Sequence, residues 1–96
     1  MAEYRVVHSG KIQEDIRRLA EQAREEGRLP QAQLAAATLD NALRTDPLSF
    51  GEPLYDAKRL GLQVRHGVQS PWSFHFAVDK VRKIVYVTRV ELLSKP

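Results

Sequence analysis

The chain contains no cysteine. That excludes a disulfide framework and every thiolate metal site or thiol nucleophile. Its three histidines are scattered along the 96 residues without metal-ligand spacing, so neither a metal nor any other cofactor is expected. No apolar run approaches the roughly 20 residues that span a bilayer, so no membrane partner is expected. The N-terminus, Met1-Ala2-Glu3-Tyr4-Arg5, carries charge where a secretory signal needs an apolar stretch. A cytoplasmic protein is the expectation. Phosphate-loop, dinucleotide and nucleophile-elbow glycine motifs are missing as well.

What is present is a single domain over residues 1–96, of which 43% are apolar and 28% charged. The net charge of +3 hides an asymmetry. Residues 1–57 hold seven Lys/Arg against ten Asp/Glu, whereas residues 58–96 hold eight against two. His66 and His75 lie in the basic part. Such a surface suits an anionic partner, nucleic acid being the commonest. Solubility alone also explains Lys and Arg at strand edges.

Tyr4 to Val7 reads as a short strand. Ser9 offers a cap to a helix whose apolar face is Ile12, Ile16, Leu19, Ala20 and Ala23. Gly27 stops it, Pro30 starts a second helix, and Ala32, Ala35, Ala36, Leu39 and Leu43 continue the helical period. Asp46-Pro47 ends that helix. Residues 47–57 read as a loop pinned to the core by Phe50, Leu54 and Tyr55. Three strands are then expected: Leu60 to His66, Trp72 to Val78, and Ile84 to Val90. Gly67 to Pro71 forms the first turn, and the charged segment Asp79 to Lys83 forms the second. Trp72, Phe74, Phe76 and Val78 alternate strictly, which marks the core face. Ile84 to Val90 is apolar on both faces and is therefore expected inside the sheet. The fold class is α+β in the order β-α-α-β-β-β: a helical hairpin on one face of a mostly antiparallel four-stranded sheet.

This order resembles the RelE/ParE superfamily of toxins from type II toxin–antitoxin (plasmid stabilization) systems. The resemblance is clearest in Gly51-x-Pro53-Leu54, Lys58-Arg59-Leu60, Leu62-Gln63-Val64-Arg65, Phe74-His75-Phe76-Ala77-Val78-Asp79 and Ile84-Val85-Tyr86-Val87. It implies a toxin silenced by a cognate antitoxin protein. RelE-like members cut messenger RNA on the ribosome without a metal, and ParE-like members poison DNA gyrase without a nuclease site. A non-toxic RelE-like binding domain and a small RNA-binding module are the other readings. Arg65 matches a basic position on the family's first meander strand. Gln63 and Ser73 stand where further basic residues are usual. Leu93 falls near a C-terminal basic position, and the chain ends Ser94-Lys95-Pro96 without a terminal Tyr.

Metal-independent endoribonuclease chemistry needs a base, an acid and cations at the phosphate. Arg65 and His75 are the candidate catalytic residues, on the expectation that Arg65 lies across from His75 on the neighbouring strand. Lys58, Arg59, His66 and Arg89 are the candidate nucleic-acid contacts. The simpler reading of His75 is a half-exposed strand residue bonded to a neighbour, and of His8 a surface residue. Trp72, Phe74 and Phe76 could stack on bases, but the helices need them as core.

Overall fold

A computed structural model describes residues 3–94. Met1, Ala2, Lys95 and Pro96 of the terminal segments considered above lie outside the described residues. The elements run β1 (Arg5–His8), α1 (Gly10–Glu25), α2 (Leu29–Thr45), β2 (Glu52–Ala57), β3 (Leu62–Gln69), β4 (Trp72–Asp79) and β5 (Ile84–Leu92). Short 3-10 turns at Pro47–Ser49 and Lys58–Leu60 flank β2. The class is α+β as expected, but the sheet has five strands, in the order β1-β5-β4-β3-β2. β1 pairs in parallel with β5, and the other pairings are antiparallel.

The fifth strand is β2, expected as loop. Gly51 and Pro53 suppress the strand signal there, and every residue of β2 except Ala57 is exposed. Pairing with β3 supplies what local propensity does not. The expectation that Leu54 and Tyr55 pin this segment to the core fails: they are 48% and 62% exposed. Phe50 does pin it, stacking on Phe74 with ring centroids 5.7 Å apart.

The helices begin and end where their caps dictate. Ser9 Oγ accepts the Ile12 amide at 3.2 Å. Gly27, at φ +73°, closes α1: its amide donates to Arg24 O and that of Arg28 to Ala23 O, the paired bonds of a Schellman motif. Only a residue free to take positive φ makes this turn at no steric cost. Pro30 lies in the first turn of α2. Ala23 and Ala32, both essentially inaccessible, pack in one cluster with Leu19, Ala35 and Trp72. Small side chains there let the two helices approach closely.

The alternation of β4 places its core face as expected. Phe74, Phe76 and Val78 join Tyr4, Ile12, Leu43, Val85 and Val87, with Ile16 and Leu39 packed against them. The Trp72 indole N–H donates to Ala32 O at 2.9 Å, which satisfies its one polar atom inside the core. β5 is an interior strand, flanked by β1 and β4. With both helices on one face, the other face of the sheet is left without a helix, and the candidate chemistry is carried there.

Candidate functional site

Strand parity divides β4 into a core set and a helix-free set, Ser73, His75, Ala77 and Asp79. The β3–β4 ladder pairs His66 with His75, and the β4–β5 ladder pairs His75 with Arg89. Three residues on three neighbouring strands thus form one row. The two imidazoles meet edge to face at 87°, with centroids 5.1 Å apart. Ser73 Oγ lies 2.9 Å from His66 Nε2 and holds that ring. Arg89 Nε bonds Glu91 Oε1 at 2.6 Å, and Glu91 pairs with Ser73 in the ladder. Glu52 on β2 pairs with His66 and completes the row at the sheet edge.

Electrostatics in this row disfavour a second proton. Burial, then the neighbouring His66, then Arg89 push the His75 pKa below its ordinary 6.5, while Glu91 opposes them. His75 therefore binds a proton less readily than a free histidine does.

The expected meeting of Arg65 with His75 does not occur. Arg65 pairs with Phe76 and points to the core side, where it is 6% exposed. Its Nε donates to Phe50 O at 3.0 Å, Nη2 to Gly51 O at 3.1 Å and Nη1 to Gln63 Oε1 at 2.7 Å. The guanidinium thereby ties the β2 approach loop to β3. The cause is register. A turn over residues 67–71 would set His66 against Trp72 and put Arg65 on the face of His75. The turn is only Ser70-Pro71, so Gln69 faces Trp72 and the parity is reversed.

His66 and Arg89 join His75, whereas Lys58 and Arg59 do not. Those two lie in the turn before β3, eight and seven residues short of His66. Lys58 there shares a depression of about 280 Å³ with Asp56, Gly61, Leu62, Gln63 and Lys80. Asp79 is buried and caps its own turn, accepting the amides of Val81 and Arg82. A cavity of about 230 Å³ lies between helices and sheet, lined by apolar residues apart from His8 and Asp40. His8 is thus half-buried at this lining rather than a plain surface residue. Asp40 is ion-paired with Arg44 at 2.8 Å.

Sequence reasoning missed the Ser73–His66 bond, which crosses strands, and the exposure of Tyr55. No three His, Asp or Glu stand together as a metal site among the described residues. No helix among them is long and apolar enough to cross a membrane. No family model matches the chain, and neither a curated protein nor a solved structure matches it.

Proposed function

We propose that the protein is a toxin of the RelE/ParE type that inhibits growth by cleaving messenger RNA at the ribosome, with a cognate antitoxin as its silencing partner. The observation that carries this reading is the His66–His75 pair beside Arg89 on the helix-free face. Two imidazoles next to a guanidinium supply what phosphodiester cleavage requires: a base, an acid and a cation. His75, whose charged form burial and its neighbours disfavour, takes the proton of a 2′-hydroxyl. The 2′-oxygen attacks phosphorus, the bond to the 5′-oxygen breaks, and His66 acts as the acid that gives that oxygen its proton. The products are a 2′,3′-cyclic phosphate and a 5′-hydroxyl. Arg89 neutralises the phosphoryl oxygens, and Ser73 orients His66. No step requires a metal ion.

The buried Arg65 and the Arg89–Glu91 pair favour a second reading, a ParE-like toxin that binds DNA gyrase without cleaving anything. Purified protein incubated with single-stranded RNA in chelator decides between them. The nuclease yields fragments with cyclic phosphate ends, and His66→Ala and His75→Ala each lower the rate by at least about 100-fold. Growth arrest on induction with intact transcripts, unaltered by either substitution, overturns the nuclease and leaves the binding toxin.

A further inference from the structure

One step along the strands from the histidines, a second row crosses the whole helix-free face. Tyr55 on β2 pairs with Val64 on β3, Val64 with Ala77 on β4, Ala77 with Tyr86 on β5, and Tyr86 with Val7 on β1. Val64 and Ala77 are two residues from His66 and His75, so the rows lie about 7 Å apart. Ala77 is only 3% exposed although no helix covers it, so larger neighbours on the same face stand above it. The row is a shallow apolar trough with an aromatic ring on either side. Tyr55, on an edge strand, leaves 62% of its surface in water.

We infer that Tyr55 and Tyr86 form a stacking platform for unpaired bases of a single-stranded RNA whose phosphate lies over the His66–His75–Arg89 row. Resting on the cleavage reading above, this names the form of RNA the site accepts. Two features of the face select nucleic acid. The row beside the rings carries Arg89 and two ionisable histidines, and Arg5 pairs with Ile84 on the same face. Of the carboxylates there, Asp79 is turned into its own amides, Glu91 is paired with Arg89, and Glu52 stands at the sheet edge opposite His66. Phenol rings offer flat apolar faces that every base can cover, and stacking of this kind tolerates any base identity. A duplex buries the same base faces against each other and cannot use the platform. Tyr55 and Tyr86 are three strands apart, about 14 Å, so each takes a different base of the strand.

The test uses the whole protein and a fluorescent single-stranded hexanucleotide made uncleavable by 2′-deoxy substitution, with binding read by anisotropy at low salt. Tyr55→Ala and Tyr86→Ala are expected to weaken binding about tenfold each, and Tyr55→Phe and Tyr86→Phe to restore it. The same sequence annealed to its complement binds more weakly and is insensitive to all four substitutions. With cleavable RNA, Tyr55→Ala raises KM and leaves kcat unchanged, which loss of structure would not do. Tyr55 decides the matter if Tyr86→Ala fails to fold, because Tyr55 is exposed. Wild-type binding that neither alanine substitution weakens overturns the platform while cleavage stands. Tyrosine-dependent binding without cleavage supports the platform and removes the nuclease. Failure of Phe to restore binding overturns stacking in favour of the phenol hydroxyls.

Discussion

His66 and His75 stand directly opposite each other in the β3–β4 ladder, their rings edge to face at 5.1 Å. A proton on one ring therefore disfavours a proton on the other. His75 should titrate below 6.5, with burial as the leading cause and His66 next. Ring-proton NMR across the pH range reads this directly. His66→Ala should move the His75 midpoint upward, because one of the lowering influences is gone. A midpoint unchanged by that substitution would remove the coupling.

The same shift links stability to pH. A histidine whose folded pKa lies below its unfolded value binds its proton more readily in the unfolded chain. Its contribution to stability is therefore complete above about 6.5 and is lost as pH falls through the lower folded value. Urea midpoints should be flat between about pH 7 and 8 for this group and decline below 6.5. His75→Gln should flatten part of that decline. An identical decline in the variant would assign it to other groups.

Arg65 and His75 should separate stability from activity. Removing the buried guanidinium leaves Phe50 O and Gly51 O without their donors. Arg65→Ala should cost roughly 3 kcal/mol in denaturant unfolding. His75→Ala, at a half-exposed strand position, should stay within about 0.5 kcal/mol. Equal stability of the two variants would contradict the tie that Arg65 makes.

The close packing over β3 predicts a coupled pair. A Cβ on Gly67 would lie 2.6 Å from Phe50 Cε1 and 2.8 Å from Phe74 Cζ. Gly67→Ala should cost about 1–3 kcal/mol by overpacking. Phe74→Ala should cost about 3–5 kcal/mol by leaving a cavity. Adding Phe50→Leu to Gly67→Ala should restore part of the loss, giving a non-additive thermal-melt cycle. Strict additivity would mean the rings move aside freely.

RNA binding should be steeply salt-dependent. Arg89 stands on the helix-free face beside the histidines, and Arg89→Ala should reduce the log–log salt slope by about one. Binding indifferent to salt would argue against phosphate contacts altogether.

The alternation Trp72, Phe74, Phe76 declares a core face, and the apolar stripes of α1 and α2 declare what covers it. Ser9, Gly27, Pro30 and Pro47 mark the helix ends through chemistry local to a few residues. β2 was illegible for the opposite reason. Pro53 and Gly51 speak against a strand, nearly all its residues are exposed, and only the edge of β3 makes it one. The candidate site was legible in part: His66, His75 and Arg89 were singled out individually, while Ser73 as partner of His66 and Tyr55 as an open ring were not.

Period-two alternation, legible in the residues alone, sorts the side chains of β3 and β4 by face. The irregularities between Pro53 and Tyr55 in β2, and in β5 opposite His75 and Phe76, break that alternation and arise from strand pairing. Which residues face each other across strands is set by long-range pairing. That depends on how many residues the turn between β3 and β4 consumes. Closing the hairpin on Ser70-Pro71, with Gln69 opposite Trp72, puts His66 against His75 and sends Arg65 to the core side. A ladder slipped by one residue would have exchanged them, and nothing local to either strand forbids that slip. Core packing selects the register, since Gly67 must lie under Phe50 and Phe74, where no larger residue fits.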